Sequence, residues 1–225
     1  MSQSFLKNLS ANTENVMKYQ NQLSTLKEVS KPSDDPLKVS KILDLNNSII
    51  QNDQYKTTIN DAIQWTNVQD SALSSATESM QRIKTLIQYS ANGTLSSEDR
   101  QANKAEIESE IQGVVDAFNT NFGGRYVFAG KNTTVKPFEV DSVDGEIIGI
   151  KYHGTDKDNG NLSRETAPGV SVELNTDGRN FMNEQDGETT DNLGTFFSDV
   201  LTALDGDNTE KLSSLLDRAD QEIEN

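Results

Sequence analysis

Apolar residues recur at seven-residue intervals in the first thirty positions. Phe5, Asn12, Tyr19 and Leu26 form one series, and Leu9, Val16, Leu23 and Ser30 form a second, offset by four. These are the a and d positions of a coiled coil, and most of them are apolar. The pattern predicts a helix over residues 2–29 whose seam no single helix can bury. It therefore points to an assembly protein, with an ordinary bundle helix packing inside its own domain as the alternative. Asn12 at an a position fits either reading, because a polar residue there sets register at some cost in stability. Lys31-Pro32-Ser33-Asp34-Asp35-Pro36 stops the helix. The acidic pair can cap a following helix, and Pro36 suits its first position, where the missing N–H costs nothing.

A second helix is predicted over residues 37–91, with Val39, Ile42, Ile49, Ile59, Ile63, Leu73, Met80, Ile83 and Ile87 among its apolar positions and no Gly or Pro inside it. At 1.5 Å per residue it would span ~80 Å. Trp65 reads as a packing anchor, and the thinner stripe at residues 51–56 allows a kink or break there. Asn92-Gly93 ends this helix. The next begins at Ser96 or Ser97, with Glu98 and Asp99 favouring its dipole. Its stripe is Ile107, Ile111, Val114, Phe118 and Phe122. The short link implies an antiparallel hairpin.

Gly123-Gly124 changes the regime. Tyr126-Val127-Phe128 reads as a strand, and residues 135–188 are rich in Gly, Asp, Asn and Thr. Candidate strands are 137–140, 146–152 and 170–174, with turn signals at Asp144-Gly145 and Asp177-Gly178. Helical pattern returns at Leu193, Phe196, Phe197, Val200, Leu201 and Leu204, then at Leu212, Leu215, Leu216, Ala219 and Ile223. The fold expected is mainly α with an inserted β domain: an elongated antiparallel helical bundle or coiled coil plus a small antiparallel β domain. Its parts would be a helical rod over 1–134, the β domain over 135–190, and return helices packing on the rod over 191–225.

Composition fits a long, thin shape. The chain has 225 residues, 36 acidic and 20 basic, for a net charge of −16, and only 33% are apolar. The acidity argues against nucleic acid and anionic membranes, both of which favour Lys and Arg, and self-repulsion serves solubility instead. No apolar run reaches 18 residues, and no apolar h-region marks a signal peptide. Cysteine is absent, which removes disulfides and thiolate chemistry.

Chemistry of other kinds finds little support. His153 is the single histidine, with no second His or Cys for zinc, and reads as a solvated loop residue. Asp156 to Asn161 fails the calcium-loop test, since Gly160 comes one place early and the twelfth position is Ala167 rather than Glu. Acidic pairs are abundant only because the whole surface is acidic, and no phosphate loop or nucleophile elbow is present. Neither catalytic residues, cofactor nor metal is expected, and the chain does not read as an enzyme.

Four ordered motifs carry a family resemblance: KPSDDP at 31–36, QYKTTINDAIQWTNVQDSAL at 54–73, ANGTLSSEDRQA at 91–102 and GGRYVFAG at 123–130. The chain resembles the flagellin superfamily and, within it, the hook-associated protein 3 family at the hook–filament junction. The similarity is strongest over 31–130, and its motif residues are Pro32, Ser33, Asp34, Asp35, Pro36, Arg125, Tyr126, Phe128 and Gly130. The region from Val135 onward carries little family signal, as a variable surface domain would.

The resemblance implies a structural, extracellular subunit of the bacterial flagellum, exported unfolded by the flagellar secretion system without signal-peptide cleavage. Implied partners are other copies in a ring, a second hook-associated protein on the hook side, flagellin on the filament side and an export chaperone, with no nucleic acid or membrane. In such proteins the first and last helices pair, which maps Phe5, Leu9, Val16, Tyr19, Leu23 and Leu26 onto the assembly interface. Family chains carry several residues before the equivalent of Ser2, and their last helix continues beyond the equivalent of Asn225. This chain is expected to lack that partner helix, leaving only residues 212–223 free to pair with the seam. The competing readings are a filament flagellin and a secreted helical adaptor or adhesin that holds a ligand in its β domain.

Overall fold

The structure, a computed structural model, describes residues 2–29, 31–33, 35–154, 159–182 and 193–224. It is mainly helical with small antiparallel sheets, as expected. The helices are α1 (Ser2–Thr25), α2 (Pro36–Ser90), α3 (Ser97–Phe118), α4 (Leu193–Asp205) and α5 (Thr209–Glu224). The strands are β1 (Asn121–Phe122), β2 (Arg125–Tyr126), β3 (Phe138–Val143), β4 (Glu146–Tyr152), β5 (Leu162–Ala167) and β6 (Val170–Leu174), followed by a 3-10 turn at Gly178–Met182. Internal packing falls into two units, Met1–Thr57 and Thr58–Asn225. Among the described residues no helix is long and apolar enough to cross a membrane.

In the first unit α1 stops at Thr25 rather than continuing to residue 29. Leu26 adopts a left-handed backbone with φ +52°, and the Gln22 side-chain amide donates to the Glu28 carbonyl at 2.7 Å, fastening the reversed chain. Leu26 thus lies outside the helix that the heptad assigned to it, and Ser30 lies outside the described residues. Asp35 then starts α2. Its carboxylate accepts from the Lys38 N–H at 3.1 Å and its carbonyl from the Val39 N–H at 3.0 Å, while Pro36 takes the first helical position. The helix runs without a break through residues 51–56.

In the second unit α3 returns antiparallel to the later part of α2. Asn103 donates to the Ser90 hydroxyl at 2.9 Å, Arg82 pairs with Glu106, and a Cβ placed on Gly113 would lie 3.1 Å from the Ser79 hydroxyl. Ser96 caps α3, its hydroxyl accepting from the Asp99 N–H at 3.1 Å. The helix ends at Phe118, so Phe122 sits in β1 and not on the helical stripe. The reason is Asn119, whose side chain pairs with the backbone of Phe138, accepting its N–H at 3.0 Å and donating to its carbonyl at 2.9 Å. That pairing draws the chain off the helical path.

Three hairpins follow, β1–β2, β3–β4 and β5–β6, each a two-stranded sheet. Gly123 and Gly124 turn the first with φ +59° and +83°, and Asp144 and Gly145 turn the second with +55° and +90°. Positive φ at both central residues matches the right-handed strand twist. β4 and β6 fall where the pattern puts them, and β3 is longer than expected. β5 is an addition, because its sequence LSRETA carries one strong apolar residue. Only Tyr126 of the expected 126–128 strand is in β2; Val127 and Phe128 leave it and are buried.

One continuous core joins these hairpins to the helices. It includes Trp65, Ile83, Ile87, Ile111, Phe128, Phe138, Phe196 and Leu204. Phe118 is its aromatic hub, stacked on Phe181 at 5.0 Å, tilted against Phe138 at 5.0 Å and edge-on to Phe128 at 5.9 Å. Asn208 caps α5 through the Lys211 N–H at 2.9 Å, and Leu212, Leu215 and Ala219 are buried in this core. The apolar face of α5, which the sequence pattern left free, is therefore occupied within this core.

Candidate assembly surface

The six apolar residues assigned to the seam are exposed. Phe5, Leu9, Val16, Tyr19, Leu23 and Leu26 show between 52% and 89% of their surface, and Leu6 and Met17 widen the stripe. Burying a large apolar side chain is worth about 1.5–3 kcal/mol relative to leaving it in water, so this face gains strongly from a partner. The condition extends into the start of α2, where Leu37, Ile42, Leu43, Leu45, Ile49 and Ile50 are exposed as well. Val29, Val39, Ile42, Leu43 and Leu45 line an open groove of about 1010 Å³ within the same unit.

The family-motif residues occupy two places. In the first unit Pro32 and Ser33 form the turn before α2, with Asp35 and Pro36 at its cap; Asp34 lies outside the described residues. In the second unit Arg125 is exposed on β2, and the Tyr126 N–H donates to the Thr133 carbonyl at 2.8 Å. Phe128 fills the aromatic hub. Gly130 has φ +67°, and a Cβ there would come within 2.3 Å of the Asn159 side-chain oxygen. Glycine is required because Asn159 occupies that space. Its oxygen accepts from the Lys131 N–H at 2.7 Å, while its amide donates to the Ala129 and Gly154 carbonyls at 3.2 and 3.0 Å.

Several structural residues escaped the sequence pattern. Gln69 is buried on α2, and its amide donates to the Val127 and Asn175 carbonyls at 3.1 and 2.6 Å, tying the helix to two loops. The signal was present: Gln69 falls between Trp65 and Ala72 at core spacing, a polar residue on an apolar stripe. Asn161 accepts from the Thr176 and Asp177 N–H groups at 2.9 and 3.0 Å, and nothing in its sequence context marks it.

Charge is used to clamp the second unit. Lys104 pairs with Asp205 at 2.7 Å and Arg100 with Asp207 at 2.8 Å, joining α3 to the α4–α5 turn. Asp177 receives the Arg179 guanidinium at 2.9 Å. Burial by itself would raise Asp177, but hydrogen bonds from the Arg179 side chain and backbone outweigh it and hold the carboxyl below its usual range. Burial, reinforced by nearby Asp177, pushes Tyr152 well above its usual value. His153 is half-exposed in a bend, its Nε2 2.9 Å from a Glu139 oxygen. Among the described residues no three His, Asp or Glu side chains converge as a metal site; Asp156 and Asp158 lie outside them.

The first unit thus exposes a helical apolar seam, and the second closes a helical and β-hairpin core of its own. Residues 1–133 match the bacterial flagellin N-terminal helical region. The chain is 30% identical over 229 residues to flagellar hook-associated protein 3 of Salmonella typhimurium, covering 93% of this chain and 68% of that protein. It is 38% identical over 138 residues to flagellar hook-associated protein 3 of Escherichia coli, covering 59% of this chain and 42% of that protein. Among solved structures, Bacillus cereus FlgL superposes with a TM-score of 0.62 at 20% identity, covering 83% of this chain and 84% of that one. The flagellar junction protein FlgL of Legionella pneumophila gives 0.51 at 21% identity, covering 66% of this chain and 42% of that one. The chain belongs to the bacterial flagellin family.

Proposed function

We propose that this protein is a structural subunit of the bacterial flagellum that joins hook to filament. The carrying observation is the contrast between α1, whose apolar seam is exposed along its length, and the second unit, which closes its own core. A subunit that works by packing against neighbours needs such a seam. Two relatives with substantial identity are hook-associated proteins 3, which favours the junction over the filament. Its role is mechanical and not catalytic. The partners are other copies of itself in a ring, a second hook-associated protein on the hook side, flagellin on the filament side and an export chaperone. The seam residues Phe5, Leu9, Val16, Tyr19 and Leu23 form the assembly interface, with Leu26 at its end. Export runs through the flagellar secretion channel without cleavage of a leader.

The test is complementation of a strain lacking the junction protein by the full-length gene, with electron microscopy of the hook tips. Restored filament attachment and a limited zone of added subunit support the reading. Long filaments made of this subunit alone would identify a filament flagellin instead, and binding to a partner away from any polymer end would indicate an adaptor.

A further inference from the structure

The chain has six arginines. Four are paired: Arg82 with Glu106, Arg100 with Asp207, Arg179 with Asp177 and Arg218 with Asp199. The other two, Arg125 on β2 and Arg164 on β5, have no hydrogen-bond or ion-pair partner among the described residues, and both line one open cleft of about 590 Å³. Trp65 and Phe122 form its aromatic wall, edge to face at 6.2 Å. Asp61 is a single carboxylate on the same cleft, and it forms an ion pair with neither guanidinium.

We propose that this cleft receives a carboxylate side chain from a neighbouring copy of the same subunit. The inference rests on the reading that copies pack in a ring. Each copy carries a net charge of −16, so copies brought together repel one another. A stable contact between them needs cations free to meet the neighbour's acids, and the two unpaired arginines line the same cleft. Arginine offers a planar fork matched to a carboxylate, and it is enriched among interface hot spots. Two guanidiniums against one resident carboxylate leave the cleft cationic in an acidic protein.

The experiment replaces both arginines with lysine, R125K and R164K, in flagella built from the full-length subunit. Carbodiimide then joins an amine to a carboxylate only where the two are in contact, and the products are compared with those of the parent protein by mass spectrometry. The expected result is a new amide linking the introduced amine to an Asp or Glu of a second copy, with the cleft then reversed in a separate variant, R125E and R164E. The reversed variant should also shed filaments, while its isolated form keeps the parent's urea midpoint. A new amide to Asp61, to flagellin or to another hook-associated protein overturns the proposal, as does no new amide in a subunit that has entered the flagellum. Those outcomes leave the junction role intact. A parent subunit that never enters flagella overturns both.

Discussion

A single helix, α2, runs through two environments. Before residue 58 its large apolar residues face water: Leu37, Ile42, Leu43, Leu45, Ile49 and Ile50 are exposed. Further along, Trp65, Ala72, Ala76, Met80, Ile83, Leu86 and Ile87 are buried. The periodicity is helical in both halves, and the second half shares one core with α3, α4, α5 and the hairpins. An apolar stripe therefore reports a face that gains from burial, not a face already buried. In the N-terminal unit that gain is unrealised.

The largest effect that tests this contrast is in the closed core. Phe118→Ala removes the aromatic hub and should cost about 3–5 kcal/mol, read as a lower urea midpoint with an unchanged slope. Ile111→Ala should cost about 2–5 kcal/mol by the same cavity argument. In the same melts Leu9→Ala and Leu23→Ala should leave the midpoint unchanged, because neither residue is buried. Equal losses in the two sets would erase the distinction between the units.

Polar ties come next. Gln69→Leu keeps the volume but leaves the Val127 and Asn175 carbonyls without their donor, at about 1–3 kcal/mol. Gly130→Ala should cost at least about 1–2 kcal/mol for the left-handed backbone, and moving Asn159 adds to it. If G130A melted like the parent, the account of that glycine would be wrong.

Acid should loosen the Asp177–Arg179 tie. The folded carboxyl lies below its ordinary value of 3.8. Its contribution is therefore complete above that value and is lost as pH falls through the lowered folded pKa. Asp177→Asn should flatten this part of the acid limb of stability, measured as urea midpoint against pH. Retention of the same slope in D177N would assign the acid sensitivity elsewhere.

The smallest effect belongs to the first unit. Asp35→Ala removes the cap of α2 and should cost about 1 kcal/mol locally. It should speed amide exchange at Lys38 and Val39 without moving the global melt.

Much of this was legible in the chain. α2, α4 and α5, the strands at β4 and β6, and the Asp35-Pro36 cap follow from spacing, propensity and proline alone. What escaped depends on partners distant in sequence. α3 ends early because Asn119 pairs with Phe138, nineteen residues away. β5 has almost no apolar alternation to announce it. The α5 face looked free because its pattern is amphipathic, and only the core shows that Leu212, Leu215 and Ala219 are already covered. The seam residues were legible as a pattern, but the end of α1 turned on the left-handed Leu26, which no periodicity marks.

We infer that the α1 seam, open in the isolated subunit, is covered in the flagellum. The chain contains no cysteine, so a single Leu9→Cys substitution gives an unambiguous probe, with Val143→Cys on the exposed β3 end as the control. Maleimide labelling should be fast at both positions in the isolated protein. In assembled flagella it should fall sharply for L9C while remaining measurable for V143C. Equally fast labelling of L9C in both states would contradict the account.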